Sequence, residues 1–342
     1  MRCPGGYAIA VSNLTKKYGE IEAVRGISFK VKCGEVFGFL GPNGAGKTTT
    51  IHILATLLKP TSGEARVAGY DVVREPDRVR RAIGIVFQDP ALDDQLTAYE
   101  NMYIHGLLYG MKGEELESRI DELLEFVELK PFRDKQVKTF SGGMRRRLEM
   151  ARALLHKPAV LFLDEPTIGL DPQSRAKIWD YIEKMRSEHE VTVFLTTHYM
   201  DEAEKLADRI AIIDHGKIVA EGTPEQLKSI VGEDVVYVEL DGLHGQGGDP
   251  CGHFVRLEGV VKSCTAVKQE MIVLKVADAS RSIPKVLDAA ARGSLVVKSV
   301  SYKRPTLNDV FLYLTGRELR DEGISPSDHM KMVMRLRRRW PR

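Results

Sequence analysis

Gly41-Pro42-Asn43-Gly44-Ala45-Gly46-Lys47-Thr48 is the stretch that decides the fold. It fits G-x-x-x-x-G-K-[ST], a loop that wraps the phosphates of a nucleoside triphosphate. Before it, Val36-Phe37-Gly38-Phe39-Leu40 reads as a short buried strand; after it, residues 48–58 read as a helix. The motif requires that strand–loop–helix setting. Glycine lets the backbone approach the phosphates and aim successive N–H groups at them. The helix N-terminus adds its positive dipole end. Lys47 is expected to reach the β- and γ-phosphates and the Thr48 hydroxyl to hold Mg²⁺, with Thr49 beside them.

Val160-Leu161-Phe162-Leu163 is apolar throughout, as a central parallel strand buried on both faces must be. It ends in Asp164-Glu165, where α/β sheets bind their ligands. Asp164 is placed to hold Mg²⁺ and Glu165 to orient and polarise an attacking water. Standing alone, the pair could simply end a strand. Some twenty residues earlier, Ser141-Gly142-Gly143-Met144 leads into a helix expected over 145–155, with Ser141 as N-cap. One chain thus carries two phosphate-seeking helix termini. A single γ-phosphate has no use for both unless two chains face each other.

Together these motifs resemble the nucleotide-binding subunit of an ATP-binding cassette (ABC) transporter, over roughly residues 7–230. The resemblance implies a head-to-tail homodimer with ATP between the phosphate loop of one chain and the Ser141-Gly142-Gly143 turn of the other. It implies Tyr18 stacked on adenine and Gln88 contacting Mg²⁺ or the attacking water. It implies Gly169-Leu170-Asp171 as a loop crossing the dimer interface and His198 on the γ-phosphate. Asp171 before Pro172 also reads as a plain helix N-cap with proline at the first helical position. One departure stands out. The family pattern Leu-Ser-Gly-Gly-Gln is here Phe140-Ser141-Gly142-Gly143-Met144, and methionine cannot donate the amide hydrogen bonds of glutamine.

At 342 residues the length suggests two domains. Lys and Arg number 50 against 48 Asp and Glu, so no strong charge selects a polyanionic partner. The four cysteines have no paired spacing and read as reduced thiols in a cytosolic chain. No apolar run approaches the ~18–20 residues that cross a bilayer, and the N-terminus lacks the apolar core of a signal peptide. Any membrane pathway is then expected in another chain. Residues 72–83 and 96–129 look helical; the region 89–140 fits the family's helical subdomain, which meets the membrane partner. Residues 210–213 and 218–222 form a hairpin pattern around Asp214-His215-Gly216-Lys217. Thr223-Pro224-Glu225 opens a short helix, and the ATP-binding domain, 7–232, closes there.

Residues 233–316 read as a small α+β domain. Strands are expected at 235–240, 254–257, 264–268, 271–276 and 295–302, and helices at 282–292 and 306–314. Tyr302 to Phe311 and Thr315-Gly316 resemble the ending of daunorubicin-resistance-type ATPases, which implies an exporter with separate membrane subunits. His244, Cys251, His253 and Cys264 are zinc-type residues without tight paired spacing, so a loop between strands is the expected reading. The tail 317–342 carries Lys331, Arg335, Arg337, Arg338, Arg339 and Arg342 beside Trp340. A solvated tail, contact with an anionic leaflet and contact with nucleic acid all fit it, the first two better.

The combined expectation is an α/β P-loop NTPase of the ABC type, with a helical subdomain and a small C-terminal α+β domain. It hydrolyses ATP with Mg²⁺, as a homodimer on membrane permease chains at the cytoplasmic face of the cell membrane, with peripheral membrane contact and without nucleic acid. The competing readings are an ABC ATPase acting on nucleic acid or the ribosome, and a regulatory subunit without turnover. Against the first stand a single cassette and the lack of a coiled-coil insertion. Glu165 and His198 speak against the second. Nothing in the chain selects a cargo.

Overall fold

The computed structural model describes residues 6–232, 234–241, 251–255, 257, 261–268, 271–293 and 295–315. Strands β1 (Tyr7–Tyr18), β2 (Ile21–Lys32), β4 (Ser62–Val67) and β5 (Tyr70–Asp71) form an antiparallel sheet in the order β2-β1-β4-β5. A second sheet holds β3 (Val36–Leu40), β6 (Ile83–Val86), β7 (Val160–Asp164), β8 (Thr192–Thr197), β9 (Arg209–Asp214) and β10 (Lys217–Gly222). Its order is β10-β9-β3-β8-β7-β6, parallel except for β10 on the edge. The β9–β10 turn places both His215 and Gly216 at positive φ, 45° and 76°, as a tight hairpin requires.

The apolar strands have a simple cause. Phe37, Phe39, Phe162 and Phe194 pack on one face, against the antiparallel sheet, and Leu161, Leu163, Val193 and Leu195 on the other, against the helices. Side chains alternate along a strand, so a sheet covered on both faces needs an uninterrupted apolar run. Phe29 of β2 stacks on Phe37 at 5.5 Å and lies 5.8 Å from Phe194. Each such pair adds about 0.5–1.5 kcal/mol beyond burial and fastens one sheet to the other.

Helices α1 (Lys47–Leu54), α2 (Pro76–Ala82), α3 (Ala98–Leu108), α4 (Gly113–Phe126), α5 (Gly142–Leu154), α6 (Pro172–His189), α7 (Met200–Leu206) and α8 (Pro224–Val231) complete this part. Several ends differ from expectation. α1 stops early because Thr56 turns left-handed, φ 64°, and the Leu57 and Leu58 N–H groups return to the His52 carbonyl. The expected helix over 72–83 begins only at Pro76, because Asp71 accepts from the N–H groups of Val73 and Arg74 in a turn. The stretch 96–129 divides into α3 and α4 at Gly110 and Gly113, both at positive φ. α5 starts at Gly142 rather than Arg145.

The C-terminal region comprises β11 (Asp234–Asp241), α9 (Gly252–Val255), β12 (Val261–Lys268), β13 (Met271–Val276), α10 (Ala279–Arg292), β14 (Val296–Lys303) and α11 (Leu307–Thr315). Its sheet is antiparallel, ordered β12-β13-β11-β14, with α10 packed on Val236, Val238, Ile272 and Leu274. The strand expected at 254–257 is instead the helical turn α9, which seats Phe254 in that core. The expected reduced thiols are also corrected. Cys251 and Cys264 form a disulfide with Cα atoms 5.6 Å apart, because β12 runs beside the start of α9. Cys33 is disulfide-bonded too. The cysteines therefore carry no argument for a reducing compartment. Sequence spacing could not show this, since pairing depends on strand placement. His244 and the basic tail lie outside the described residues.

The last described helix, α11, returns to the N-terminal part. Leu307, Val310 and Phe311 pack with Leu40, Ala203, Ile210, Ile212 and Leu227. Among the described residues, no helix is long and apolar enough to cross a membrane.

Candidate nucleotide-binding and hydrolytic site

The loop between β3 and α1 is shaped by close packing. A Cβ at Gly41 would sit 2.2 Å from the Ile213 carbonyl oxygen, and one at Gly46 2.5 Å from that of Ala23. Gly46 also takes φ 105°. Only glycine fits either position. The Gly41 N–H donates to the Thr197 carbonyl at 3.2 Å, and the Gly216 N–H to the Ala45 carbonyl at 3.0 Å. The parallel sheet and the β9–β10 turn thus hold Pro42, Asn43, Gly44 and Ala45 from two sides. Lys47 is buried. Its ammonium donates to the carbonyls of Gly41 and Pro42, 2.8 and 3.1 Å away, and pairs with Glu165 Oε1 at 3.0 Å.

Asp164 and Glu165 end β7 in the middle of this sheet. The Thr196 hydroxyl donates to Asp164 Oδ1 at 2.5 Å and accepts from the Glu165 N–H at 3.1 Å. The Thr48 hydroxyl lies 3.4 Å from the same Asp164 oxygen. Glu165 adopts φ 48°, an unusual conformation for a non-glycine residue that costs on the order of 1–3 kcal/mol unless its surroundings impose it. Here they do: the backbone is tied to Thr196, and the two carboxylate oxygens are tied to Lys47 and to His198 Nδ1, the latter at 2.9 Å. Burial works to raise the Glu165 carboxyl, but the His198 hydrogen bond and the Lys47 charge outweigh it. They leave the group below its ordinary range and ionised. A carboxylate and a hydroxyl converging beside a buried lysine suit a hydrated divalent cation and a phosphate chain.

The structure therefore brings Lys47, Thr48, Asp164, Glu165 and His198 together. Sequence reasoning assigned no role to Thr196. Its signal was the Thr196-Thr197 pair that closes the apolar run Val193-Phe194-Leu195 just before His198.

The remaining residues expected in the site make contacts of their own. Tyr18 ends β1, half-exposed, with the Lys16 amine 5.2 Å from its ring centroid. Gln88 is exposed just past β6, and its carbonyl accepts from the Arg146 guanidinium at 2.9 Å. Arg146 also donates to the Phe87 carbonyl at 2.6 Å. Two turns of α5 further reinforce this grip: Glu149 accepts from the Ala91 N–H at 2.7 Å, and Arg152 donates to the Ala91 carbonyl at 2.6 Å. The helix beginning at Ser141 thus holds the loop carrying Gln88, a link that motif reading missed.

Ser141 caps α5 through the Met144 N–H at 3.3 Å. It lines a small cleft of about 170 Å³ with Gly143, Met144, Arg147, Gln173, Ser174 and Lys177, residues of α5 and α6. Gly142 lies against Leu170, and a Cβ at Gly143 would meet the Ser174 hydroxyl at 2.9 Å. Asp171 caps α6 through the Ser174 N–H at 3.0 Å, with Pro172 following, so the N-cap reading of Asp171 holds. Met144 packs against the apolar core beneath the turn.

Comparisons with known proteins agree with this geometry. Residues 24–168 match the family described as ABC transporter, and residues 222–315 match the ATP-binding protein DrrA1-3-like, C-terminal domain. The chain is 41% identical to the daunorubicin resistance ATP-binding protein DrrA3 of Streptomyces coeruleorubidus, over 92% of this chain and 97% of that one. It is 39% identical to the linearmycin resistance ATP-binding protein LnrL of Bacillus subtilis, over 92% of this chain and all of that one. Among solved structures it resembles cbiO1 of Clostridium perfringens, part of the cbiONQ ABC transporter complex. There the TM-score is 0.61 at 30% identity, spanning 66% of this chain and 93% of that one. The cassette MJ0796, dimeric and bound to ADP and Pi, gives a TM-score of 0.57 at 33% identity, over 63% and 98%. The chain belongs to the ATP-hydrolysing subunits of ABC transporters, in the group of the daunorubicin-resistance ATP-binding proteins.

Proposed function

We propose that two copies of this chain close head to tail over two ATP molecules and drive export through separate membrane chains. The observation that carries this reading is the division of labour within one chain. Lys47, Thr48, Asp164, Glu165 and His198 form one cluster, while the capped helix N-terminus at Ser141 lines a different cleft, beside the Asp171 loop. A second copy supplies what each half lacks. The 7–232 unit binds ATP, and 233–316 is an accessory region whose last helix packs back on that unit.

The residues fit roles in hydrolysis. Tyr18 offers a ring to adenine, and Gly41 to Thr49 cradle the phosphates. Thr48, Asp164 and Gln88 hold Mg²⁺, which neutralises phosphate charge when bound. Lys47 exchanges its Glu165 partner for phosphate oxygens. Glu165, freed from Lys47 and still held by His198, takes a proton from the attacking water. Ser141, Gly142, Gly143 and Asp171 serve the opposing subunit. Ile104, Leu107 and Leu108 form an exposed apolar strip on the end of α3, a fitting place for the membrane chain. That docking puts the subunit at the cytoplasmic membrane face. Cargo is chosen by the membrane chain, so the drug and linearmycin names of the relatives do not carry over. No observation favours a nucleic-acid or ribosome role.

Mixing subunits tests the arrangement. A Lys47→Ala chain and a Ser141→Arg chain are each expected to be inactive alone. Mixed dimers should regain one working site. Stable mixed dimers without turnover would end the head-to-tail reading.

A further inference from the structure

Glu202 lies in α7, four residues past His198, and is fully buried. Burying a carboxyl is costly unless its oxygens find partners. Among the described residues it makes no ion pair within 4.0 Å; Arg175 acts on it only from a distance. Instead Oε1 accepts two hydrogen bonds, from the Thr167 hydroxyl at 2.8 Å and the Trp179 indole N–H at 3.0 Å. Oε2 makes no hydrogen bond of normal geometry, although the Thr197 hydroxyl is close enough to act on the carboxyl.

The donors matter more than the acceptor. Thr167, also fully buried, stands midway in the loop that starts at Glu165 and ends at Asp171. Trp179 sits two turns into α6, the helix that Asp171 caps. One oxygen therefore ties together the Glu165–Asp171 loop, the α6 helix and the helix that follows His198. His198 itself holds Glu165. The ring of contacts closes: Glu165 to His198, along the chain to Glu202, across to Thr167, and back along the chain to Glu165.

We propose that Glu202 is a positioning residue for ATP hydrolysis, keeping the Glu165–Asp171 loop in register with His198 so that pressure on Asp171 from a second subunit and the His198–Glu165 contact move as one piece. The proposal rests on the reading of Glu165 and His198 as the hydrolytic pair. Burial pushes the Glu202 carboxyl above its usual range, against the opposing pull of Thr197, Thr167 and Trp179. Both hydrogen bonds at Oε1 are accepted from neutral donors, so the surroundings call on Glu202 as an acceptor. Glutamine can replace such a group. Leucine fills the space but leaves the Thr167 hydroxyl and the indole N–H unpaired.

Steady-state ATP hydrolysis by the full-length chain tests this, with thermal melting as a check on folding. Glu202→Leu should lower kcat at least about tenfold with the KM for ATP unchanged within about twofold, and Glu202→Gln should recover kcat to within about threefold of wild type. A folded Glu202→Leu chain with wild-type kcat overturns the proposal. Equal losses in Glu202→Leu and Glu202→Gln also overturn it, since charge would then matter rather than acceptance. Should Glu202→Leu not fold, Thr167→Val combined with Trp179→Phe removes both donors and leaves the carboxyl in place. A lowered kcat at constant KM in that double variant supports the proposal; a wild-type kcat refutes it. His198→Ala is the control for the underlying reading. Wild-type turnover there would remove the hydrolytic pair itself, whatever Glu202 does.

Discussion

The nucleotide-binding part and the C-terminal region bury different things. The first sinks Lys47, Arg146, Glu149, Asp164, Glu165 and Glu202 among apolar strands and pairs nearly every one of their polar atoms. The second buries Val236, Val238, Phe254, Ile272, Leu274 and Val286, and Ser282 is its only buried polar residue among those described. Within that core lies a covalent bond, Cys251 to Cys264. A buried charge costs free energy that only a specific geometry offsets. Where charges are buried, geometry is under functional demand. Where the interior is plainly apolar and stapled, the demand is for stability.

The sharpest way to break this contrast is at Glu165. Glu165→Gln should bind ATP yet turn over at least about 100-fold more slowly, the scale of a lost general base. It should also accumulate an ATP-bound dimer by size-exclusion chromatography. Turnover near wild type would show that the buried charge is structural.

The C-terminal region calls for the opposite outcome. Cys251 and Cys264 are 13 residues apart. Opening a loop of that size by Cys251→Ser should cost about 3 kcal/mol of stability. The loss should appear in the unfolding of residues beyond 233, with kcat unaltered. A matching fall in kcat would mean that the two regions are energetically one.

A third test concerns buried groups away from the hydrolytic cluster. His105 packs against Tyr109 and His156 near Arg152, and burial first, then the neighbouring positive groups, lower its pKa from 6.5 to about 4. The folded state thus resists the proton that the unfolded state accepts. Stability should be full above about pH 6.5 and fall as pH drops toward 4, by about 2 kcal/mol at pH 5. Denaturant titrations of wild type and His105→Phe at pH 7 and pH 5 isolate the effect, which the variant should lack.

The smallest change is expected at Met144. It rests on the apolar core, and Ser141 keeps its cap through the backbone N–H rather than the Met144 side chain. Met144→Gln should alter kcat by less than about threefold. A larger rise would show that the amide lost here limits turnover.

Much of the nucleotide-binding part was legible because its signals are local. The phosphate loop, the acids at the end of β7, the apolar strands and the helix caps all depend on residues a few positions apart. Helix ends were less legible. The left-handed turn at Thr56 and the Asp71 turn compete with helix through hydrogen bonds that composition does not reveal.

The sequence alone determined the fold class and singled out Lys47, Thr48, Asp164, Glu165 and His198, which the fold brings together, because short motifs carry their own backbone geometry. Tertiary structure alone decided what connects them. Thr196 joins Asp164 to the Glu165 backbone across 32 and 31 residues, Arg146 grips the Gln88 loop across 58, Glu202 reaches Thr167 across 35, and α11 closes on Leu40 and Leu227. The cysteine pairing was decided in the same way, by β12 passing α9. These partners share no periodicity or spacing. They meet only because strand order in the sheets brings distant segments within hydrogen-bonding or covalent reach, and a linear reading holds no record of that order.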